Sequence, residues 1–132
     1  MAESTRKHLI LVVDDDPNSR EIVQTFLESR GYRVRTAPNG EAALAAVQAE
    51  VPELILLDVM MPGMDGPSTL KALRGIDATS STPVVFMTAK VQAAEVAHYK
   101  SLGALGVIAK PFDPMTLAEQ LRALWSEMPA AA

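Results

Sequence analysis

His8-Leu9-Ile10-Leu11-Val12-Val13-Asp14-Asp15-Asp16-Pro17 sets a run of aliphatic residues directly against three acids and a proline. His8–Val13 is too uniformly apolar for a strand with one wet face, so it reads as a strand buried on both faces. Asp16-Pro17 then opens a helix. Asp16 suits the N-cap, and Pro17 suits the first helical position, where its missing N–H costs nothing. A doubly buried strand leading straight into a helix is the opening unit of an α/β fold.

The same alternation continues outward from this stretch. Ile22, Val23, Phe26 and Leu27 recur at helical spacing until Gly31 stops the helix after Arg30. Tyr32–Ala37 alternates like a strand. Asn39 can cap a helix running to about Ala49, with Ala43, Leu44 and Val47 inward. Leu54–Asp58 is a third strand ending on a carboxylate. Met61-Pro62-Gly63 is a loop, followed by a helix from Asp65 to Arg74. Pro83–Thr88 is a fourth strand, Gln92–Leu102 a helix stopped by Gly103, and Gly106–Ala109 a short fifth strand. Asp113-Pro114 repeats the helix start, and Leu117, Leu121 and Leu124 stripe the last helix. Residues 1–7 and 126–132 read as flexible ends around a domain spanning 8–125. Strands alternating with helices imply a parallel sheet with right-handed crossovers and helices on both faces.

Composition narrows the function. The 132 residues suit one hydrophobic core. No cysteine is present, which excludes disulfides and thiolate metal sites. The net charge of −4 argues against a general nucleic-acid footprint. No apolar run approaches the roughly 18 residues needed to cross a bilayer, and Met1–Lys7 lacks the apolar core of a signal peptide. A cytoplasmic protein is the expectation.

Ligands of open α/β sheets bind beyond the carboxyl ends of the strands. Asp14, Asp15 and Asp16 stand at the end of the first strand, Asp58 at the third, Thr88 at the fourth and Lys110 at the fifth. Singly, each has a bland reading as a cap, a surface acid or a loop lysine. Their coincidence at successive strand ends does not. Carboxylates gathered there repel one another unless a cation intervenes. A donor set of oxygens alone suits Mg²⁺ better than zinc. A carboxylate beside Mg²⁺, a lysine and a hydroxyl is equipped to take a phosphoryl group, forming an acyl phosphate.

Four ordered segments carry a family resemblance: Ile10–Asp16, Leu56–Gly66, Met87-Thr88-Ala89 and Ala109-Lys110-Pro111-Phe112. On these the chain resembles the CheY-like receiver domain of bacterial two-component response regulators over roughly His8 to Leu124. The resemblance implies a doubly wound, flavodoxin-like α/β fold. Its five-stranded sheet would have the order 2-1-3-4-5, with two helices on one face and three on the other. It implies Asp58 as phosphoacceptor, Asp14 and Asp15 as Mg²⁺ ligands with the Met60 backbone carbonyl, and Thr88 and Lys110 as partners of the phosphoryl oxygens. It also implies a cis Lys110-Pro111 bond and a special backbone angle or close approach at Gly66.

The implied donor is a sensor histidine kinase or a histidine phosphotransfer protein. The implied output is a protein target on the face made by the fourth helix, fifth strand and fifth helix, where Lys90, Tyr99, Val107 and Trp125 stand. Direct contact with nucleic acid or membrane is not expected. A monomer or a weak, phosphorylation-dependent dimer is expected. One position departs from the family. Val107 stands three residues before Lys110, where an aromatic ring usually serves the switch, so a smaller rearrangement at Val107 is expected.

Two rivals are weaker. A receiver that had lost phosphorylation would not need the full acidic set. An aspartyl-phosphate phosphatase would carry a second Asp two residues after its nucleophile, where this chain has Met60. His8 and His98 read as structural or solvent-facing. The protein is expected to be no enzyme in the ordinary sense, assisting only its own phosphorylation and dephosphorylation.

Overall fold

The computed structural model describes residues 8–125. The expectations for 1–7 and 126–132 lie outside them. Strands β1 (Leu9–Val13), β2 (Arg33–Ala37), β3 (Leu54–Asp58), β4 (Val84–Thr88) and β5 (Gly106–Ala109) alternate with helices α1 (Pro17–Ser29), α2 (Gly40–Ala49), α3 (Gly66–Arg74), α4 (Ala93–Ser101) and α5 (Leu117–Leu124). The strands form one parallel sheet in the order β2-β1-β3-β4-β5. All five residues of each of β1, β3 and β4 are buried, as their unbroken apolar runs require of central parallel strands.

Two cores flank the sheet. Ile10, Val12, Leu54, Leu56, Val85, Met87 and Ile108 pack against Val23 and Leu27 of α1 and Leu117 and Leu121 of α5. Leu11, Val13, Ile55, Leu57, Val84 and Phe86 pack against side chains of α2, α3 and α4. Helices therefore divide two and three across the sheet, as expected.

The helix starts follow their capping residues. Asp16 Oδ1 accepts from the Asn18 amide, Asn39 Oδ1 from Ala42 and Asp65 Oδ1 from Ser68. Gly31 and Gly103 have φ of 95° and 108°, the left-handed geometry that ends α1 and α4.

Some boundaries differ from the sequence reading. Tyr32 precedes β2 because its amide is bonded to the Leu27 carbonyl at the end of α1 and its ring is buried. Asp113-Pro114 opens a 3-10 turn, Pro114–Thr116, before α5 begins at Leu117. Tyr99 does not stand on the partner surface as the resemblance implies: it is only 8 % exposed, held against Phe86 inside the second core. Trp125 is half-buried and packs against the first.

Candidate functional site

The register of the sheet brings the chemistry together at one edge. Val13 pairs with Leu57, so Asp14 and Asp58 emerge side by side one residue further on. Asp58 in turn pairs with Met87, and Thr88 with Ala109. The Lys110 amide donates to the Thr88 carbonyl at 2.9 Å, which aims the lysine back over the strand ends. The Lys110-Pro111 bond is cis.

Lys110 bridges the two buried acids. Its Nζ lies 3.0 Å from Asp14 Oδ2 and 3.2 Å from Asp58 Oδ2. Asp14 is fully buried and Asp58 is 5 % exposed, whereas Asp15 is exposed to solvent. Asp14, Asp15 and Asp58 each offer an oxygen within 4.8 Å of the others. Asp16 turns away to cap α1, as its place beyond the acidic pair suggested.

The two buried acids are not equivalent. Burial alone would raise both. At Asp14 it is outweighed by hydrogen bonds from the Asp16 amide, Ser19 and Lys110, so its pKa lies below the usual value. Asp58 is pushed up to about 6 by burial, which the Lys110 charge opposes and the neighbouring Asp14 charge reinforces. Apart from Lys110, it accepts one long bond, 3.3 Å from the Met60 amide. Burial lowers the Lys110 ammonium, but hydrogen bonds and charge from Asp14 and Asp58 outweigh it and raise its pKa. Asp58 is thus the underbonded oxygen donor in a cleft walled by a fixed cation.

The remaining candidates are placed differently. Thr88 is buried at the end of β4, but its Oγ1 accepts the Lys90 amide at 3.1 Å. Met60 is 69 % exposed, with its side chain in solvent. Val107 lies in the second core, beside Phe86 in the sheet, and not at the acidic edge. His8 bonds Glu53 at 2.8 Å and His98 is exposed beside Tyr99, so both keep the bland roles expected of them. Gly66 has no positive φ. Its requirement is closeness, since a Cβ there would lie 2.6 Å from the Asp58 carbonyl oxygen. Sequence reasoning passed over Ser19 and Arg20. Arg20 bonds the Asp14 carbonyl at 2.7 Å and fixes the turn that carries the acids. Its only sequence signal was its place in the first turn of α1.

Residues 10–122 match the family model of the response regulator receiver domain. The chain belongs to that family. Among curated relatives, it is 39 % identical over 119 residues to the DNA-binding response regulator MtrA of Mycolicibacterium smegmatis, covering 90 % of this chain and 51 % of that protein. It is 42 % identical over 118 residues to the probable transcriptional regulator ycf27 of Cyanophora paradoxa, covering 89 % and 48 %. The chain spans about half the length of the curated relatives it matches. Among solved structures, the Vibrio cholerae chemotaxis protein CheY4 superposes with a TM-score of 0.85 at 34 % identity, covering 90 % of this chain and 99 % of that one. The receiver domain of NtrX from Brucella abortus gives 0.79 at 29 %, covering 90 % and 99 %. This receiver domain therefore acts in two-component signalling, and its acidic pocket is suited to a phosphoacceptor. No helix among its described residues is long and apolar enough to cross a membrane.

Proposed function

We propose that Asp58 accepts the phosphoryl group, donated by the phosphohistidine of a sensor kinase or of a histidine phosphotransfer protein. The observation that carries this is the Asp14–Lys110–Asp58 bridge, in which Asp58 is the acid left underbonded. An Asp58 carboxylate oxygen attacks phosphorus as the P–N bond breaks. The electron pair of that bond leaves with the imidazole, and the product is an acyl phosphate. Lys110 is within reach of the phosphoryl oxygens, and the Thr88 hydroxyl retains a proton to donate to one of them.

The carboxylates fit Mg²⁺. Asp14, Asp15 and Asp58 offer oxygens close enough to share one ion, with no nitrogen or sulfur ligand among them. They and the Met60 carbonyl would hold it, and when bound the ion neutralises charge on the transferring group.

A groove bordering the site favours approach of the donor from the α1 side. It is lined by Ile22, Ala89, Lys110, Pro111, Phe112 and Pro114 among others, so a protein seated there reaches Lys110 directly. The target contacts the α4–β5–α5 face, with the exposed Lys90 as its marker, while Val107 and Trp125 stand partly buried beneath it. MtrA is called DNA-binding, but this stretch carries net charge −4 and is read as contacting proteins, not nucleic acid or membrane. The domain works in the cytoplasm, as a monomer or a weak dimer formed on phosphorylation. It is no enzyme beyond assisting its own phosphorylation and the hydrolysis that reverses it.

Incubation with acetyl phosphate and Mg²⁺, followed by intact mass measurement, tests the assignment. The parent chain should gain one phosphoryl group and Asp58→Ala none. A gain retained in Asp58→Ala would refute the site.

A further inference from the structure

Helix α4 has one buried anchor. Of Ala93–Ser101 only Tyr99 is buried, whereas α3, of the same length, buries Gly66, Thr69, Leu70 and Leu73. A helix this short owes its position to tertiary packing more than to its own stability, so the seat of the Tyr99 ring sets where α4 lies. That ring meets Phe86 edge to face, with centroids 5.2 Å apart and planes at 61°. Phe86 stands in one row with Leu57 of β3 and Val107 of β5. The short Val107 side chain packs against the same cluster as Phe86 and Tyr99.

Phe86 is held from the other side. A Cβ on Gly66 would lie 3.1 Å from its ring and 2.6 Å from the Asp58 carbonyl oxygen. The ring is therefore wedged against the turn that carries Asp58. Thr88 is the next residue on the same face of β4. Its Oγ1 accepts the Lys90 amide while its proton remains free to donate. A Thr88 that donates to a phosphoryl group and keeps the Lys90 amide draws residues 89–92 with it. Those residues lead directly into α4. With Phe86 wedged against the Asp58 turn, any displacement of the start of α4 would fall on the Phe86–Tyr99 contact.

We infer that Tyr99 is the positioning residue that converts phosphorylation of Asp58 into a new setting of α4, its ring re-seating against Phe86 and Val107. The surface this alters includes Val91 and Leu102, apolar side chains left 41 % and 40 % exposed at the two ends of the helix. The inference rests on Asp58 being the phosphoacceptor.

The chain has two tyrosines, and Tyr32 lies in the opposite core, so it serves as an internal control. In the fluorotyrosine-labelled chain, fluorine NMR with Mg²⁺ and beryllofluoride, a phosphoryl analogue, reads both rings and the bound analogue together. The Tyr99 resonance should shift and the Tyr32 resonance stay. Tyr99→Leu should bind beryllofluoride undiminished, which also certifies its fold, yet lose the amide shift changes along Val91–Leu102. Tyr99→Phe, which keeps the ring, should restore them. Bound beryllofluoride with a stationary Tyr99, or α4 changes that survive in Tyr99→Leu, would overturn the inference and leave Asp58 as acceptor standing. Absence of bound beryllofluoride would remove the Asp58 reading and the role of Tyr99 with it.

Discussion

Replacing Asp58 with Asn should make the metal-free protein more stable. Asp58 is buried, faces the charge of Asp14 and shares its one cation with that neighbour. Its pKa is pushed from 3.8 to about 6. A shift of that size corresponds to at most about 3 kcal/mol of destabilisation when the group is ionised. Asn removes this cost, still accepts from the Met60 amide and loses the Lys110 charge interaction. A net gain of roughly 1–2 kcal/mol at neutral pH follows, or about 3–10 °C in Tm.

The pH dependence has a definite sign. An acid with a raised folded pKa binds its proton more tightly when folded, so its cost is full above about 6 and fades towards 3.8. The advantage of Asp58→Asn should therefore shrink as pH falls through that window. Thermal and urea unfolding in chelator, at pH 7.5 and pH 4.5, measure it. Mg²⁺ should raise the Tm of the parent more than that of the variant. A variant less stable than the parent at pH 7.5, or equally advantaged at both pH values, would refute the account of the pocket as charge-strained.

Other substitutions probe separate parts of the argument. Met60→Asn should shorten the lifetime of the phosphorylated state, because a thioether cannot orient an attacking water and an amide can; equal decay of phosphorylated parent and variant in single-turnover assays would sink this. Gly66→Ala forces a Cβ to within 2.6 Å of the Asp58 carbonyl oxygen. It should cost about 1–3 kcal/mol in urea unfolding and slow phosphorylation by acetyl phosphate. Arg74 bonds the carbonyls of Thr79 and Thr82 at 3.0 and 2.7 Å and that of Gly103 at 3.1 Å, tying α3 to the turn before β5. Arg74→Ala should lose about 2–3 kcal/mol of stability without changing beryllofluoride affinity.

What could be read from the sequence was what repeats locally. The aliphatic runs of β1, β3 and β4 and the Asp and Asn caps each declare themselves within a few residues, and alternation fixed the class of sheet. The acidic edge was legible because strand ends in a parallel sheet must converge. Contacts across the fold were not legible. Tyr99 was set on the output face that the resemblance implies; α4 has almost no apolar stripe to signal otherwise, and only the placement of Phe86 and Val107 on neighbouring strands shows where its ring goes. Arg74 and Arg20 are charged residues on helices, and nothing local marks the carbonyls they find 5 to 29 residues away. The position of Thr88 at the end of β4 was legible, but its bond to the Lys90 amide depends on a turn with no sequence signature.

The sheet has two sides, and the pocket draws on both. Asp14, Asp58 and Lys110 continue the alternation of Val12, Leu56 and Ile108 towards α1 and α5, while Thr88 continues that of Phe86 towards α3 and α4. In the proposed function, capture of the phosphoryl group and its readout thus lie on opposite faces of one wall. If the donor docks at α1 and the target at α4 as proposed, a copy arising by gene duplication can change its listener by rewriting α4 while still answering to the same donor. Insulation from the old donor requires changes on the other side of the wall, and the two steps can be taken in either order.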